Sequence, residues 1–203
     1  MNYLNVINYG NKILKANKII NFNLDSELIL AKVLNYKREE LLINLEKKIE
    51  VKKFKIFKKL VARRIKKEPI AYIFKQKEFW RYKFRVNQNV LIPRPETEII
   101  VEETLKLISP YSSKHILDIG TGSGCIILSV IKERPKSYGA AVDISKKAIK
   151  IAKINAKMHH IQNKIKLINI NVDKLQSDKY DFILSNPPYI SIIDYKRLDK
   201  SVK

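Results

Sequence analysis

The sequence predicts an α/β protein in three consecutive parts: a small N-terminal helical bundle, a β-hairpin linker, and a doubly wound parallel sheet. Three observations carry this expectation. Apolar residues recur at helical spacing through residues 1–68. Aromatic and β-branched residues then alternate over residues 79–86. From residue 114 onward, short apolar runs and helical stretches follow one another in the order β-α-β-α-β-β.

In the first part, Asp25-Ser26 offers an N-cap ahead of an apolar stripe that runs to Leu34. The stripe recurs as Phe54, Phe57, Leu60, Val61 and Ile65, with lysines on the opposite face, until Pro69 stops the helix. These apolar faces are expected to pack on one another. In the second part, Phe79, Trp80, Tyr82, Phe84 and Val86 read as a strand or hairpin with Trp80 in its core. Pro93 and Pro95 impose an extended segment, and Thr97-Glu98 opens a helix over 98–107. In the third part, strands are expected over 114–118, 139–143, 165–170 and 180–185, with helices over 125–133 and 145–159. Buried parallel strands read as continuous apolar runs joined by helical crossovers. The expected boundaries are 1–70 for the bundle, 71–95 for the linker and 96–203 for the sheet domain.

Composition narrows the class further. An apolar fraction of 45% excludes a disordered chain. A single cysteine, Cys125, excludes a disulfide framework and suits a reducing compartment. No apolar run approaches the ~18–20 residues of a membrane span, and the N-terminus lacks the apolar core of a signal peptide. A cytoplasmic protein with no membrane partner is expected, most simply a monomer.

The net charge of +21 invites a nucleic-acid reading, yet only eight of the 41 basic residues are arginine. Phosphate and base readers favour the planar arginine fork, so much of the lysine excess reads as compositional bias on solvent-facing positions. The charge is not evenly spread. Residues 37–85 hold 18 Lys/Arg and six acids, which places a possible RNA-facing surface there.

Two constellations carry chemistry. The first, Asp118-Ile119-Gly120-Thr121-Gly122-Ser123-Gly124, joins a strand to a helix, where glycines let the backbone turn sharply and approach a ligand. Asp143 closes the next strand, where a carboxylate accepts ribose hydroxyls. A nicotinamide-type fingerprint needs its third glycine at 125, which is Cys125. The spacing suits a nucleoside whose amino-acid tail lies in the loop with no pyrophosphate, a description met by S-adenosyl-L-methionine. The second constellation is Asn186-Pro187-Pro188-Tyr189, directly after the last strand. If the first and fourth strands are neighbours, both constellations face one crevice at the carboxyl ends of the sheet. An amide nitrogen is a poor nucleophile because its lone pair is delocalised. Asn186 Oδ1 and the Pro187 carbonyl can each accept an N–H and hold that nitrogen toward a methyl donor, with Pro188 stiffening the turn and Tyr189 walling it. A rigid Asn-Pro turn without chemistry is the structural alternative. An exocyclic adenine amine suits the same motif, so an N6-adenine nucleic-acid methyltransferase is a second enzyme reading.

A narrower resemblance rests on Glu68–Ile73 (EPIAYI), Lys77–Trp80 (KEFW) and Val90–Glu98 (VLIPRPETE), together with the two constellations. In these segments the chain resembles the protein-(glutamine-N5) methyltransferases of peptide-chain release factors, the HemK/PrmC family. The resemblance implies a substrate-engaging helical domain, a hairpin linker and a Rossmann-like class I methyltransferase domain that methylates the glutamine of a Gly-Gly-Gln loop. It implies that Gly120, Thr121, Gly122, Ser123, Gly124 and Asp143 bind S-adenosylmethionine. Asn186 then touches cofactor and substrate, Asn186–Tyr189 seat the glutamine, and Arg94 and Thr97 line the same cleft. Three departures stand out. The family commonly has glycine where Lys75 and Arg81 stand, so the turns are expected to differ locally. Asn171-Val172 replace the usual Asp-aromatic pair near the adenine, which leaves Asn171 as the candidate contact. Relatives continue with three more strands past the Asn-Pro-Pro-Tyr motif. The chain is therefore expected to be a C-terminally truncated form of weak or no activity, or a non-catalytic remnant that serves as a binding module.

Outside these motifs, His159 and His160 are expected as charge partners of a helix C-terminus rather than metal ligands, and Cys125 as a packing residue.

Overall fold

The computed structural model describes residues 1–175 and 179–187. Its chain separates into two compact units that divide between Phe74 and Lys75.

The first unit is all helical: α1 (Tyr3–Ala16), α2 (Phe22–Leu34), α3 (Arg38–Leu42), α4 (Val51–Ile65) and α5 (Ile70–Phe74). Asn2 caps α1 by accepting the Asn5 amide at 3.0 Å. The expected apolar stripes meet in one core, in which Val6, Leu14, Ile29, Leu30, Leu41, Phe57 and Val61 are fully buried. Phe54, Leu60 and Ile65 pack against that core as partly buried neighbours.

The expected cap at Asp25-Ser26 is corrected. Helix α2 begins earlier, at Phe22, and Asp25 lies buried inside it, accepting Arg64 Nε from α4 at 2.7 Å. A capping residue has unsatisfied amides ahead of it, whereas Asp25 already follows a full helical turn. Its carboxylate instead neutralises an arginine that the core would otherwise leave uncompensated.

The second unit opens with β1 (Gln76–Phe79) and β2 (Tyr82–Arg85), antiparallel in the register Phe79↔Tyr82 to Gln76↔Arg85. The two-residue turn between them is Trp80-Arg81, with Trp80 at φ +56°. Trp80 therefore sits at the turn rather than in the hairpin core. Its indole packs against the core edge and donates to Glu133 Oε1 at 3.1 Å, while its backbone N–H donates to Glu98 Oε1 at 2.8 Å. These bonds compensate a conformation that favours glycine. Lys75, ahead of β1, also lies in the left-handed region at φ +58°.

A short 3-10 turn, Pro95–Thr97, leads into α6 (Glu98–Leu107). The alternating elements β3 (His115–Ile119), α7 (Cys125–Glu133), β4 (Tyr138–Asp143), α8 (Lys146–Met158), β5 (Ile165–Asn169) and β6 (Phe182–Ser185) follow. The four strands are parallel in the order β5-β4-β3-β6, so the first and fourth strands of this sheet are neighbours. Helix α7, the crossover between the parallel strands β3 and β4, is buried from Cys125 to Ile131. Arg134 holds the end of α6 by donating Nε to the Ile108 carbonyl at 2.6 Å. Among the described residues, no helix is long and apolar enough to cross a membrane.

Candidate active site

The carboxyl ends of β3, β4 and β6 gather the predicted motifs. The loop after β3 is tied to the end of β4, since the Gly120 and Thr121 amides both donate to the Val142 carbonyl, at 2.9 and 3.1 Å. Gly120, Gly122 and Gly124 all have positive φ, at +71°, +55° and +82°. A Cβ on Gly124 would stand 2.8 Å from Leu128 Cδ1, so this glycine is required for helix packing as well as for its φ. A Cβ on Gly120 would meet no atom within 4 Å, so the loop is open on that side.

Two carboxylates organise the loop. Asp143 Oδ2 accepts the Gly122 amide at 2.9 Å and its Oδ1 accepts the Ser145 amide at 2.8 Å. A carboxylate offers about four acceptor positions, so Asp143 shapes the loop and retains capacity for ribose hydroxyls. Asp118 is buried at the end of β3 and its Oδ2 accepts the Thr121 hydroxyl at 2.6 Å. Burial pushes its carboxyl up to about 7, and the Asp143 charge acts the same way, against the hydrogen bonds from Thr121 and the Ile127 backbone.

The Asn186-Pro187 segment leaves β6 beside this loop. The register pairs Ile119 with Ser185, so Gly120 and Asn186 leave adjacent strands together, at the ~5 Å strand spacing. Ser185 Oγ donates to the Ile119 carbonyl at 3.0 Å, fastening the exit of β6 to β3. Asn186 Nδ2 donates to Thr97 Oγ1 at 2.9 Å. Thr97 is buried, whereas Arg94, at the start of the same turn, is exposed. Asn171 follows β5 at this end of the sheet, and its Oδ1 accepts the Asp173 amide at 3.2 Å as the cap of a 3-10 turn. Pro187 is exposed, and Pro188 and Tyr189 lie outside the described residues.

The structure thus brings together Gly120–Gly124, Asp143, Asn186 and Thr97. One of the two positions outside the motifs, His159, reads differently from expectation, and the other, Cys125, packs as expected. His159 is not a charged helix-terminal partner. Its ring packs on Phe84 and Tyr82 at 4.9 and 5.6 Å, and burial, then the Lys132 charge, holds it below its ordinary value. Cys125 packs in the core, where burial pushes the thiol up to about 12. A cavity of about 390 Å³ lies at the opposite, amino end of the strands, lined by His115, Tyr138 and Lys166 among others, away from every motif above.

Sequence reasoning missed Asn155 and Glu133. Asn155 is fully buried on the apolar face of α8, and a polar residue inside an apolar stripe is the signal that identifies it. Glu133 gathers the Trp80 indole and the Tyr82 hydroxyl, the latter at 2.9 Å, but nothing in its local sequence marks it.

A glycine loop after one strand, an acid closing the next, and an Asn-Pro segment after the neighbouring strand together define an S-adenosylmethionine-dependent methyltransferase domain. Residues 96–197 match the family "Methyltransferase small domain", and residues 5–74 match "PrmC N-terminal domain". With both in this order, the chain belongs to the HemK/PrmC methyltransferase family. It is 40% identical over 203 residues to a release factor glutamine methyltransferase of Fusobacterium nucleatum, covering 98% of this chain and 57% of that protein. It is 44% identical over 167 residues to one from Coxiella burnetii, covering 82% and 60%. It is also 40% identical over 198 residues to a bifunctional methyltransferase of Rickettsia prowazekii, covering 87% and 38%. The chain therefore spans roughly two fifths to three fifths of the length of these relatives. S-adenosylmethionine is a cofactor that the residues fit: the glycine loop is open, and Asp143 has acceptor capacity beyond its two backbone bonds.

Proposed function

We propose that the protein transfers a methyl group from S-adenosylmethionine to the side-chain amide nitrogen of the glutamine in the Gly-Gly-Gln loop of peptide-chain release factors. The observation that supports this most directly is the Asn186–Thr97 hydrogen bond beside the glycine loop. That bond fixes the plane of the Asn186 amide, and an amide oxygen is the kind of acceptor that a substrate N–H requires.

When bound, S-adenosylmethionine supplies an electrophilic methyl group on a sulfonium sulfur. The chain contributes positioning. Asn186 Oδ1 and the Pro187 carbonyl accept the glutamine N–H groups and turn the face of the nitrogen toward the cofactor. Pro188 stiffens the turn and Tyr189 walls the glutamine. As positive charge grows on nitrogen, these acceptors bind its hydrogens more strongly, and the proton leaves after transfer. Gly120–Gly124, Asp143 and Asn171 hold the cofactor, and Arg94 and Thr97 line the substrate side.

In this reading residues 1–70 engage the release factor, 71–95 form the linker, and 96–203 carry the chemistry in a monomer. The basic residues 37–85 face the RNA-rich machinery that the factor visits, and salt-independent binding would count against that surface. The central experiment offers methyl-labelled cofactor together with a release factor, DNA or rRNA. Label on the loop glutamine, lost when Asn186→Ala is introduced, is the expected result. Label on nucleic acid overturns the proposal in favour of an adenine methyltransferase. Binding of the release factor without turnover favours a non-catalytic module.

A further inference from the structure

Asn155 stands at the meeting of two segments that are distant in sequence. From the buried face of α8, its Oδ1 accepts the Arg85 N–H at 2.7 Å, and its Nδ2 donates both to the Arg85 carbonyl at 3.0 Å and to the Ser123 carbonyl at 2.8 Å. Both amide hydrogens are used, and the residue is completely buried. Arg85 ends β2, and Ser123 lies within the glycine loop. Towards the hairpin the amide acts as a one-residue strand, meeting the N–H and C=O that β2 presents on its outer edge.

One helical turn later on the same face, His159 lays its ring on Phe84 and Tyr82. Helix α8 therefore meets the hairpin with two side chains four residues apart. Only Asn155 also grips the loop.

We propose that Asn155 is a positioning residue that couples the hairpin to the cofactor loop. A shift of Arg85 and a shift of Ser123 act on the same amide, so ordering one end orders the other. Coupling of this kind is reciprocal: cofactor occupancy tightens the hairpin, and a tightened hairpin favours occupancy. The hairpin leads into the segment carrying Arg94 and Thr97, so the substrate side of the cleft is linked to the cofactor side. The inference rests on reading the glycine loop as the cofactor site.

Hydrogen–deuterium exchange on the whole chain, with and without S-adenosylhomocysteine, tests it. In the wild type, the ligand is expected to slow exchange at Arg85 and Val86 as well as at Gly120–Gly124. Asn155→Asp keeps the acceptor for the Arg85 N–H but sets a carboxylate against two carbonyls. It should speed exchange in both segments without ligand and weaken ligand affinity by about tenfold, the loss of roughly one hydrogen bond. His159→Gln should speed exchange in the hairpin alone. Asn155→Ala replaces Asn155→Asp if the latter does not fold. Protection confined to the loop in the wild type, or a folded Asn155 variant with wild-type exchange in the loop, overturns the coupling. If the wild type does not bind the ligand, the cofactor reading fails, and the ligand-free comparison of variants still decides whether Asn155 joins the two segments.

Discussion

The Asn186 Nδ2 atom lies 2.9 Å from Thr97 Oγ1, joining residues 89 positions apart in the sequence. One partner follows β6 and the other closes the 3-10 turn before α6. The hydroxyl is buried, so water competes little for the bond, and the plane of the Asn186 amide is set from outside its own turn. Thr97→Val keeps the shape and removes the hydroxyl. Methylation by this variant is expected to lose about tenfold in kcat with little change in KM, since orientation rather than binding is lost. Thr97→Ser should recover most of the rate, and steady-state kinetics with a release factor decides the matter.

The glycines of the loop separate stability from ligand binding. Gly124→Ala adds a methyl group 2.8 Å from Leu128 Cδ1 at φ +82°, and is expected to cost about 2–4 kcal/mol in chemical denaturation. Gly120→Ala meets open space, so only the backbone conformation is penalised, by about 1–2 kcal/mol. Its methyl group projects into the open side of the proposed cofactor loop, and calorimetric titration with S-adenosylhomocysteine should show the larger affinity loss relative to its stability loss.

Asp118 gives the protein a pH dependence of definite sign. Its folded-state value of about 7 exceeds the ordinary 3.8, so between these limits the folded chain keeps a proton that the unfolded chain has released. The stability this contributes is present in acid and is lost as pH rises through about 7. Asn at this position keeps an acceptor for the Thr121 hydroxyl and does not titrate. Asp118→Asn is therefore expected to stabilise the protein more at about pH 8 than at about pH 5, measured as denaturation midpoints at the two pH values.

Lys75 occupies φ +58°, where a side chain is strained and glycine is not. Its carbonyl accepts the Val86 amide at 3.3 Å, a backbone bond that substitution leaves in place. Lys75→Gly relieves about 1–2 kcal/mol of strain against a smaller entropic loss in the unfolded chain, and should raise the thermal midpoint by about 2–4 °C.

Much of this architecture is legible in sequence because it depends on local periodicity. The Phe57 and Val61 stripe, the glycine run, and the acid ending β4 all announce themselves within a few residues. The neighbouring placement of β3 and β6 follows from the usual strand order of such sheets. What escapes is decided by contacts between distant segments. Asp25 resembles a cap until Arg64, 39 residues away, is seen to claim it. His159 resembles a charged helix end until Phe84 and Tyr82 cover it. The positive φ in the hairpin falls on Trp80 rather than Arg81 because Glu98 and Glu133 hold that residue from two other helices.

The Trp80 indole has a further, practical consequence. It is the chain's single tryptophan, and it belongs to the second unit, with its N–H on Glu133. Excitation at the red edge of protein absorbance therefore reads that unit alone. A shift in emission toward longer wavelength marks the indole leaving Glu133 for water, while unfolding confined to the first unit passes unseen. Far-ultraviolet dichroism, which the helices of the first unit also feed, supplies the complementary signal. Two melting curves recorded on one unlabelled sample can thus resolve whether the two units come apart together or in turn.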